Sequence, residues 1–582
     1  MTSFAAFPLC APLWGWTTLF LSLAPWLVQG APPTVHVNGT SIIGTSQTFA
    51  DVITVDFFGG IPFAEPPLGD LRFAPPVEID TLGVPTFDAT AFGAPCVQFD
   101  VDGVSEDCLT VNVFRPSELV LALGSPVPVM LWIYGGGFLE GVSTVFNASE
   151  IIVQSVVRGT PVIYVSINYR VGPFGFPQGT EADQLGAVNL GLKDQLAAIS
   201  WVQKHIRAFG GDPTKACQRC LPSDAITLFG QSAGSISIAD LYLNAGLENY
   251  GVRGAIMESG SAGTLPSFNA SRREVVWDAF VANTTECADA AQGSTFACMR
   301  NATTSDLLSS WEAIAPVFPE PFLFVPVIDG PNGLLPDLPS KLLAAGHFSK
   351  IPFMAGTVLD EGTDFVPVQI STDEQLVEFI VVANNPFAPS LTPQFQTDVA
   401  TLLTLYPDNP ALGSPFGTGN ETFGLSSQYK RAAALLGDAS FQGTRREWIQ
   451  AATAAGLTTF GYIFTDQNVA AADPATGVHH ASEVPYVYGS PAIAEANVES
   501  GVVALAMMDY WVSFAVSGTP NDGYGLPKTT WPQYTSDSQV LIQFDTTKLT
   551  SNLSEATFAV IPDTYRAQQI SFINSVAADL GE

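Results

Sequence analysis

The chain has 582 residues, with 22 Lys and Arg set against 55 Asp and Glu, a formal net charge of -33. That balance excludes nucleic acid and anionic membrane surfaces as electrostatic partners, because the summed field repels them. Only 13% of the residues are charged, so the acidic excess reads as a solvated surface suited to mildly acidic surroundings. The length exceeds that at which single cores usually stop growing. Even so, no charge run, flexible linker or internal repeat marks a boundary. From about Leu109 onward apolar strands alternate with amphipathic helices, which predicts an α/β fold: a large, mostly parallel central sheet with helices on both faces, in one domain over residues 31–582.

Residues 1–30 contain no charged side chain, and Leu19 to Val28 forms an apolar run before the small residues Gly30 and Ala31. This is expected to be a secretory signal peptide, although the usual n-region Lys or Arg is missing. Pro and Gly interruptions and modest apolar length argue against stable membrane insertion. Export accords with the Asn-x-Ser/Thr acceptors at Asn38, Asn147, Asn269, Asn283, Asn301, Asn420 and Asn552. Without Cys10, an even set remains: Cys96, Cys108, Cys217, Cys220, Cys287 and Cys298. Pairing as sequence neighbours is the simplest scheme, although six cysteines allow about 15 connectivities. The one C-x-x-C, Cys217 and Cys220, has no His or Cys at ligand spacing, so no metal site is expected.

Short β-branched runs from Val35 to Phe58 read as antiparallel hairpins covering one edge of the sheet. Phe58 to Phe73, rich in Pro and Gly, is expected to be a fixed loop. Pro128 to Tyr134 reads as a buried strand, and Gly135-Gly136-Gly137 follows at its C-terminal end, where open α/β sheets place ligands. Ala225 to Phe229 is a second apolar strand, stopping at Gly230-Gln231-Ser232-Ala233-Gly234 before a helical run. G-x-S-x-G at a sharp strand-to-helix turn exposes the serine hydroxyl, and its glycines carry no Cβ to collide there.

A serine hydroxyl is a weak nucleophile near neutral pH, so it needs a base in contact and a carboxylate to fix the base's tautomer. The chain has five histidines. His36 lies in the hairpins, His205 on a helix and His347 in a Gly-containing loop. The adjacent His479 and His480 follow the strand Thr459 to Phe464, as suits a loop-borne base. For the acid, the strand Ile351 to Gly356 runs into a loop holding Asp360 and Glu361.

The loop Phe58 to Phe73, the run Glu106 to Val113 and the serine elbow together resemble the type-B carboxylesterase/lipase family, the cholinesterase-like branch of the α/β-hydrolases. The similarity continues through Asn168 to Gly172, Asn189 to Gln195, Phe209 to Pro213, Asp509-Tyr510-Trp511 and Trp531-Pro532, nearly the whole chain beyond the leader. The resemblance implies Ser232 as nucleophile, Glu361 as acid and His480 as base, His480 standing three residues before Glu483. Asp360 is then a loop-capping carboxylate and His479 a lining residue. It also implies oxyanion N–H donors at Gly136, Gly137 and Ala233. Pairing by sequence neighbours gives disulfides Cys96 to Cys108 and Cys287 to Cys298, and the serine chemistry calls for no cofactor.

Two departures bear on substrate. The family usually has Glu before the nucleophile; here Gln231 is neutral, which disfavours choline esters. The loop from Cys96 to Cys108 is too short for the amphipathic lid of the family's lipases. Apart from these, the segment Thr214 to Asp224 is longer than the family leads one to expect and carries no substrate argument. The resulting expectation is a secreted serine esterase whose small-molecule substrates are neutral carboxylic esters. The alternatives are an interfacial triacylglycerol or sterol-ester lipase and, from another class, an inactive binding or adhesion protein. Because the base works only when neutral, kcat/KM should rise through an ionisation at roughly pH 6 to 7.5.

Overall fold

The computed structural model describes residues 31–117, 127–211, 226–244, 246–384, 386–387, 391–469, 473–550 and 553–581. The leader, Cys217, Cys220 and Asn552 lie outside the described residues. The first strands are β1 (Thr34–Val37), β2 (Thr40–Ile43), β3 (Thr45–Phe49), β4 (Ile53–Pro62), β5 (Thr86–Asp88), β6 (Thr110–Pro116), β7 (Val129–Ile133) and β8 (Ile163–Ile167). Then come β9 (Ile226–Gln231), β10 (Val252–Glu258), β11 (Phe353–Val358), β12 (Thr459–Phe464), β13 (Val540–Phe544) and β14 (Ala559–Pro562). A large sheet of 11 strands has the order β14-β13-β12-β11-β10-β9-β7-β8-β6-β4-β3.

From β8 to β13 every neighbouring pair is parallel. The strands β7, β8, β9, β11 and β12 are buried along their whole length. Unbroken apolarity has that cause: a parallel strand covered by helices on both faces has no solvent side to vary toward polar. Parallel strands also share a direction, so the loops after β7, β9, β11 and β12 emerge on one edge of the sheet.

The N-terminal hairpins divide between two sheets. The β3–β4 hairpin is the edge of the large sheet, whereas β1, β2 and β5 form a separate three-stranded one. The expected loop after Phe58 needs correction, because β4 continues to Pro62. A bulge between Phe58 and Ile61 lets it do so: Gly60 takes φ 63°, and a Cβ on Gly59 would meet the Ala91 carbonyl at 2.5 Å. Glycine here keeps a kinked strand paired rather than ending it.

Disulfides join Cys96 to Cys108 and Cys287 to Cys298. Among the described residues one helix, Val498–Ser517, is long and apolar enough to cross a membrane, and 78% of its apolar window is buried inside the protein. A smaller second core is built by the helices Asp373–Asn384, Pro393–Leu405 and Ser427–Leu436. The last of them lies against the loop after β11, where a Cβ on Gly362 would collide with the Ala433 carbonyl.

Candidate active site

The turn after β9 is bent as its glycines allow. Ser232 adopts φ 55°, and a Cβ on Gly230 would lie 2.7 Å from the Ile133 carbonyl. A Cβ on Gly234 would collide with the same carbonyl. A left-handed serine costs backbone strain, so it persists only where its surroundings hold it. Here the Ser232 N–H donates to the Glu258 carbonyl of the neighbouring β10 at 2.9 Å. The helix Ala233–Asn244 begins immediately, directing its positive end at the serine.

After β7, residues 135–141 form a tight turn in which Leu139 and Glu140 both donate to the Gly136 carbonyl, at 3.0 and 3.1 Å. Gly136 and Gly137 have φ of 108° and 63°. Among the described residues no acceptor takes the N–H of Gly136, Gly137 or Ala233. A Cβ on Gly135 would come within 2.8 Å of the Ser232 Cβ, which measures how closely the two turns approach. Free N–H groups beside a serine are what a developing oxyanion requires.

The loops after β11 and β12 bring the acid and the base together. His480 Nδ1 donates to Glu361 Oε2 at 2.6 Å, and the other Glu361 oxygen accepts the Val358 N–H at 2.8 Å. Both side chains are buried, Glu361 at 1% exposure. With its proton on Nδ1, the imidazole has an acceptor at Nε2, and the Gln231 amide N–H reaches it at 3.0 Å. That contact was not legible in the sequence, where Gln231 stood out only for its missing charge. Two phenyl rings, stacked on each other, pack against the imidazole, Phe365 at 5.0 Å and Phe441 at 4.9 Å between centroids. Phe441 is aimed there by a π-helix of 7 residues, Gly437–Gly443, whose wider turns are rare and recur at functional sites.

Asp360 does not touch His480. Its carboxylate accepts from Ser414 Oγ at 2.7 Å, Phe416 N at 2.8 Å and Val478 N at 3.0 Å, tying the histidine loop to two other segments. Burial pushes its carboxyl up to about 6. Glu483 bonds Ser259 Oγ at 3.2 Å rather than the imidazole, and burial, with the Glu361 charge nearby, pushes it up to about 7. His479 pairs with Asp364 at 3.0 Å, which raises its pKa. Its expected lining role is corrected: Asp364, not His479, faces the cavity.

Ser232 and His480 open on a cavity of about 770 Å³ walled mostly by apolar groups, among them Phe99, Ile236, Phe322, Phe365 and Phe379. The Cys96 to Cys108 loop that bounds it contains no helix. Among the described residues no cluster of His, Cys, Asp and Glu could hold a metal ion.

A parallel sheet carrying a strained serine, an acid-bonded imidazole and bare N–H groups on one edge defines an α/β-hydrolase whose chemistry is acyl transfer. A carboxylesterase family model matches residues 31–561, and the chain belongs to that family of ester hydrolases. The secreted lipase 1 of Botryotinia fuckeliana is 32% identical, covering 94% of this chain and 93% of that protein. The secreted triacylglycerol lipase LIP1 of Gibberella zeae is also 32% identical, covering 95% of this chain and 92% of its own. The crystal structure of Aspergillus niger EstA has a TM-score of 0.77 at 25% identity, covering 95% of this chain and 99% of that one.

Proposed function

We propose that the chain cleaves neutral carboxylic esters through an acyl-Ser232 intermediate. The observation that carries this reading is the 2.6 Å bond from His480 Nδ1 to Glu361 beside a left-handed Ser232. Neutral His480 takes the Ser232 proton at Nε2 as Oγ attacks the ester carbonyl. For this, Gln231 yields its place on Nε2 to the hydroxyl. The tetrahedral oxyanion accepts from the N–H groups of Gly136, Gly137 and Ala233. His480 then returns the proton to the leaving alcohol, and water repeats the cycle on the acyl-enzyme. Glu361 holds the tautomer and offsets the imidazolium charge, and no step calls on a metal or a cofactor.

Residues 31–582 act as one catalytic domain behind a cleaved leader, and the enzyme works outside the cell. The six described acceptor asparagines, Asn38, Asn147, Asn269, Asn283, Asn301 and Asn420, are all exposed, as glycan attachment requires. A burst of p-nitrophenol from a short-chain ester, abolished in Ser232→Ala, is the expected result; an unchanged burst would refute the nucleophile.

The size and apolarity of the cavity favour a second reading, hydrolysis of long-chain glycerides, which the names of the relatives also suggest. The short disulfide loop argues for smooth saturation without a jump at the solubility limit. Rates measured across that limit with tributyrin and triolein separate the two readings.

A further inference from the structure

The side chain of Gln98 lies in the short disulfide loop, yet its amide is spent on the turn that carries Gly136 and Gly137. Its Nε2 donates to the Gly141 carbonyl at 3.0 Å, and its Oε1 accepts the Gly141 N–H at 2.8 Å. A third bond, Nε2 to the Cys96 carbonyl at 3.0 Å, ties the amide back to its own loop. Because backbone N–H and C=O groups have fixed roles, these partners leave the amide only one orientation. Gln98 is 2% exposed, so water does not substitute for it. Among the described residues, Gln98 is the one side chain that hydrogen-bonds the backbone of residues 135–141.

The loop behind Gln98 is itself fixed at several points. The Cys96 to Cys108 disulfide closes it. Phe99 packs on Trp311 with centroids 4.2 Å apart. Glu106 forms a buried pair with Arg72, which also donates to the carbonyls of Met299 and Ala302. Gly141, the residue clamped, has φ 136° and no room for a Cβ against the Tyr134 ring. The far end of the turn is therefore held between a ring on one side and a side-chain amide on the other.

We propose that Gln98 is a positioning residue for the oxyanion turn, and that in this chain the disulfide loop serves as a brace for that turn rather than as a lid. The inference rests on the acyl-serine reading above. Donor N–H groups stabilise an oxyanion only if held within a fraction of an ångström of its position, and losing one donor costs roughly 100- to 1,000-fold in rate. Loosening the turn, without deleting a donor, costs less, on the order of 10- to 100-fold.

The test compares kcat, KM and the inhibition constant of a trifluoromethyl ketone, which forms a tetrahedral adduct with the serine, across variants of the full chain. Gln98→Ala is expected to lower kcat about 10- to 100-fold with KM within about twofold, and to weaken the ketone by the same factor. Gln98→Glu keeps an acceptor for the Gly141 N–H but faces its carbonyl with an oxygen; it is expected to fall between wild type and Gln98→Ala. Thr284→Val, which removes buried bonds to Phe280 and Ser310 away from the site, controls for lost stability and should keep wild-type kcat per folded molecule. If both Gln98 variants keep kcat and ketone affinity within twofold, or if Thr284→Val loses as much, the brace is refuted. Should Gln98→Ala not fold, Gln98→Glu alone decides by the same criterion. A wild-type burst that persists in Ser232→Ala would instead overturn the acyl-serine reading.

Discussion

Two groups of buried acids in this protein are treated in opposite ways. Asp563, just after β14, sits between two guanidinium groups: Arg445 bonds both its oxygens at 2.9 and 3.1 Å, and Arg446 adds bonds of 2.9 and 3.0 Å. Burial would raise its pKa, but the two arginines outweigh burial and hold it well below the usual carboxylate range. Behind the serine elbow, Glu258 and Glu483 are as deeply buried and share no cation. Glu258 accepts from the Trp511 indole at 2.6 Å, Glu483 from Ser259, and each has a second oxygen with no partner among the described residues. Burial, and then their mutual repulsion, raises Glu258 well above the usual range. Asp563 is a fastening that joins a helix to the sheet margin. The acids near the triad are a standing cost, located where the carbonyl of Glu258 also fixes the nucleophile.

The sharpest way to break this comparison is to neutralise the buried acid near the elbow that bonds the imidazole. Glu361→Gln should lower kcat by roughly 1,000- to 10,000-fold through loss of the tautomer, while the urea midpoint changes little. If activity survives, Glu361 belongs with the uncompensated acids and not with the chemistry. Asp563→Asn should do the reverse, leaving two buried guanidiniums short of charge at a cost of about 3–5 kcal/mol while kcat per folded molecule is unchanged. Urea unfolding with parallel active-site titration measures both quantities.

The pH dependence of stability comes next in size. Acids whose folded pKa is raised bind more protons folded than unfolded, so stability is lost as pH rises from the unfolded value through the folded one. Glu483 and Glu447 are pushed up to about 7 from 4.5, and Asp360 to about 6 from 3.8, each chiefly by burial. Stability should therefore fall between about pH 4.5 and 7. Asp563, being depressed, contributes fully above the ordinary Asp value and loses its contribution only as pH drops through its lowered one. A stability maximum near pH 4 to 5 follows, and Glu483→Gln should flatten the alkaline side by on the order of 2–3 kcal/mol. A wild type that is more stable at pH 7.5 than at pH 5 would contradict the assignment. The smallest effect concerns an exposed pair: Lys341→Ala, which frees Asp337 from a 3.0 Å contact, should change stability by less than about 0.5 kcal/mol. A larger loss would mean that compensation matters at the surface as well.

What could be read from the sequence divides along the same line. Ser232, the glycines after β7 and the candidate acid and histidine loops sit in contiguous motifs, because a turn of fixed shape needs particular residues side by side. Even there, choosing Glu361 over Asp360 required the family pattern, since both carboxylates end the same strand and only packing shows which one reaches His480. Partners far apart in the chain left no local trace. Asp563 and Arg445 are 118 residues apart, and Gln98 and Gly141 are 43. Nothing in the periodicity of either stretch marks them. The glycine pair in β4 misled for a related reason: Gly and Pro signal a break, and only strand pairing shows that the break is a bulge.

The phenyl rings of Phe365 and Phe441 beside His480 have a use outside catalysis. Aromatic ring currents shift the magnetic resonances of nearby protons, and with centroids at 5.0 and 4.9 Å both rings displace the imidazole C–H signals of His480. The chain has only five histidines, and among those described none but His480 has two phenyl rings packed against it. In a proton spectrum its signals should stand apart from the other four. The protonation of this side chain, and its response to an inhibitor on the neighbouring serine, can then be followed without any label.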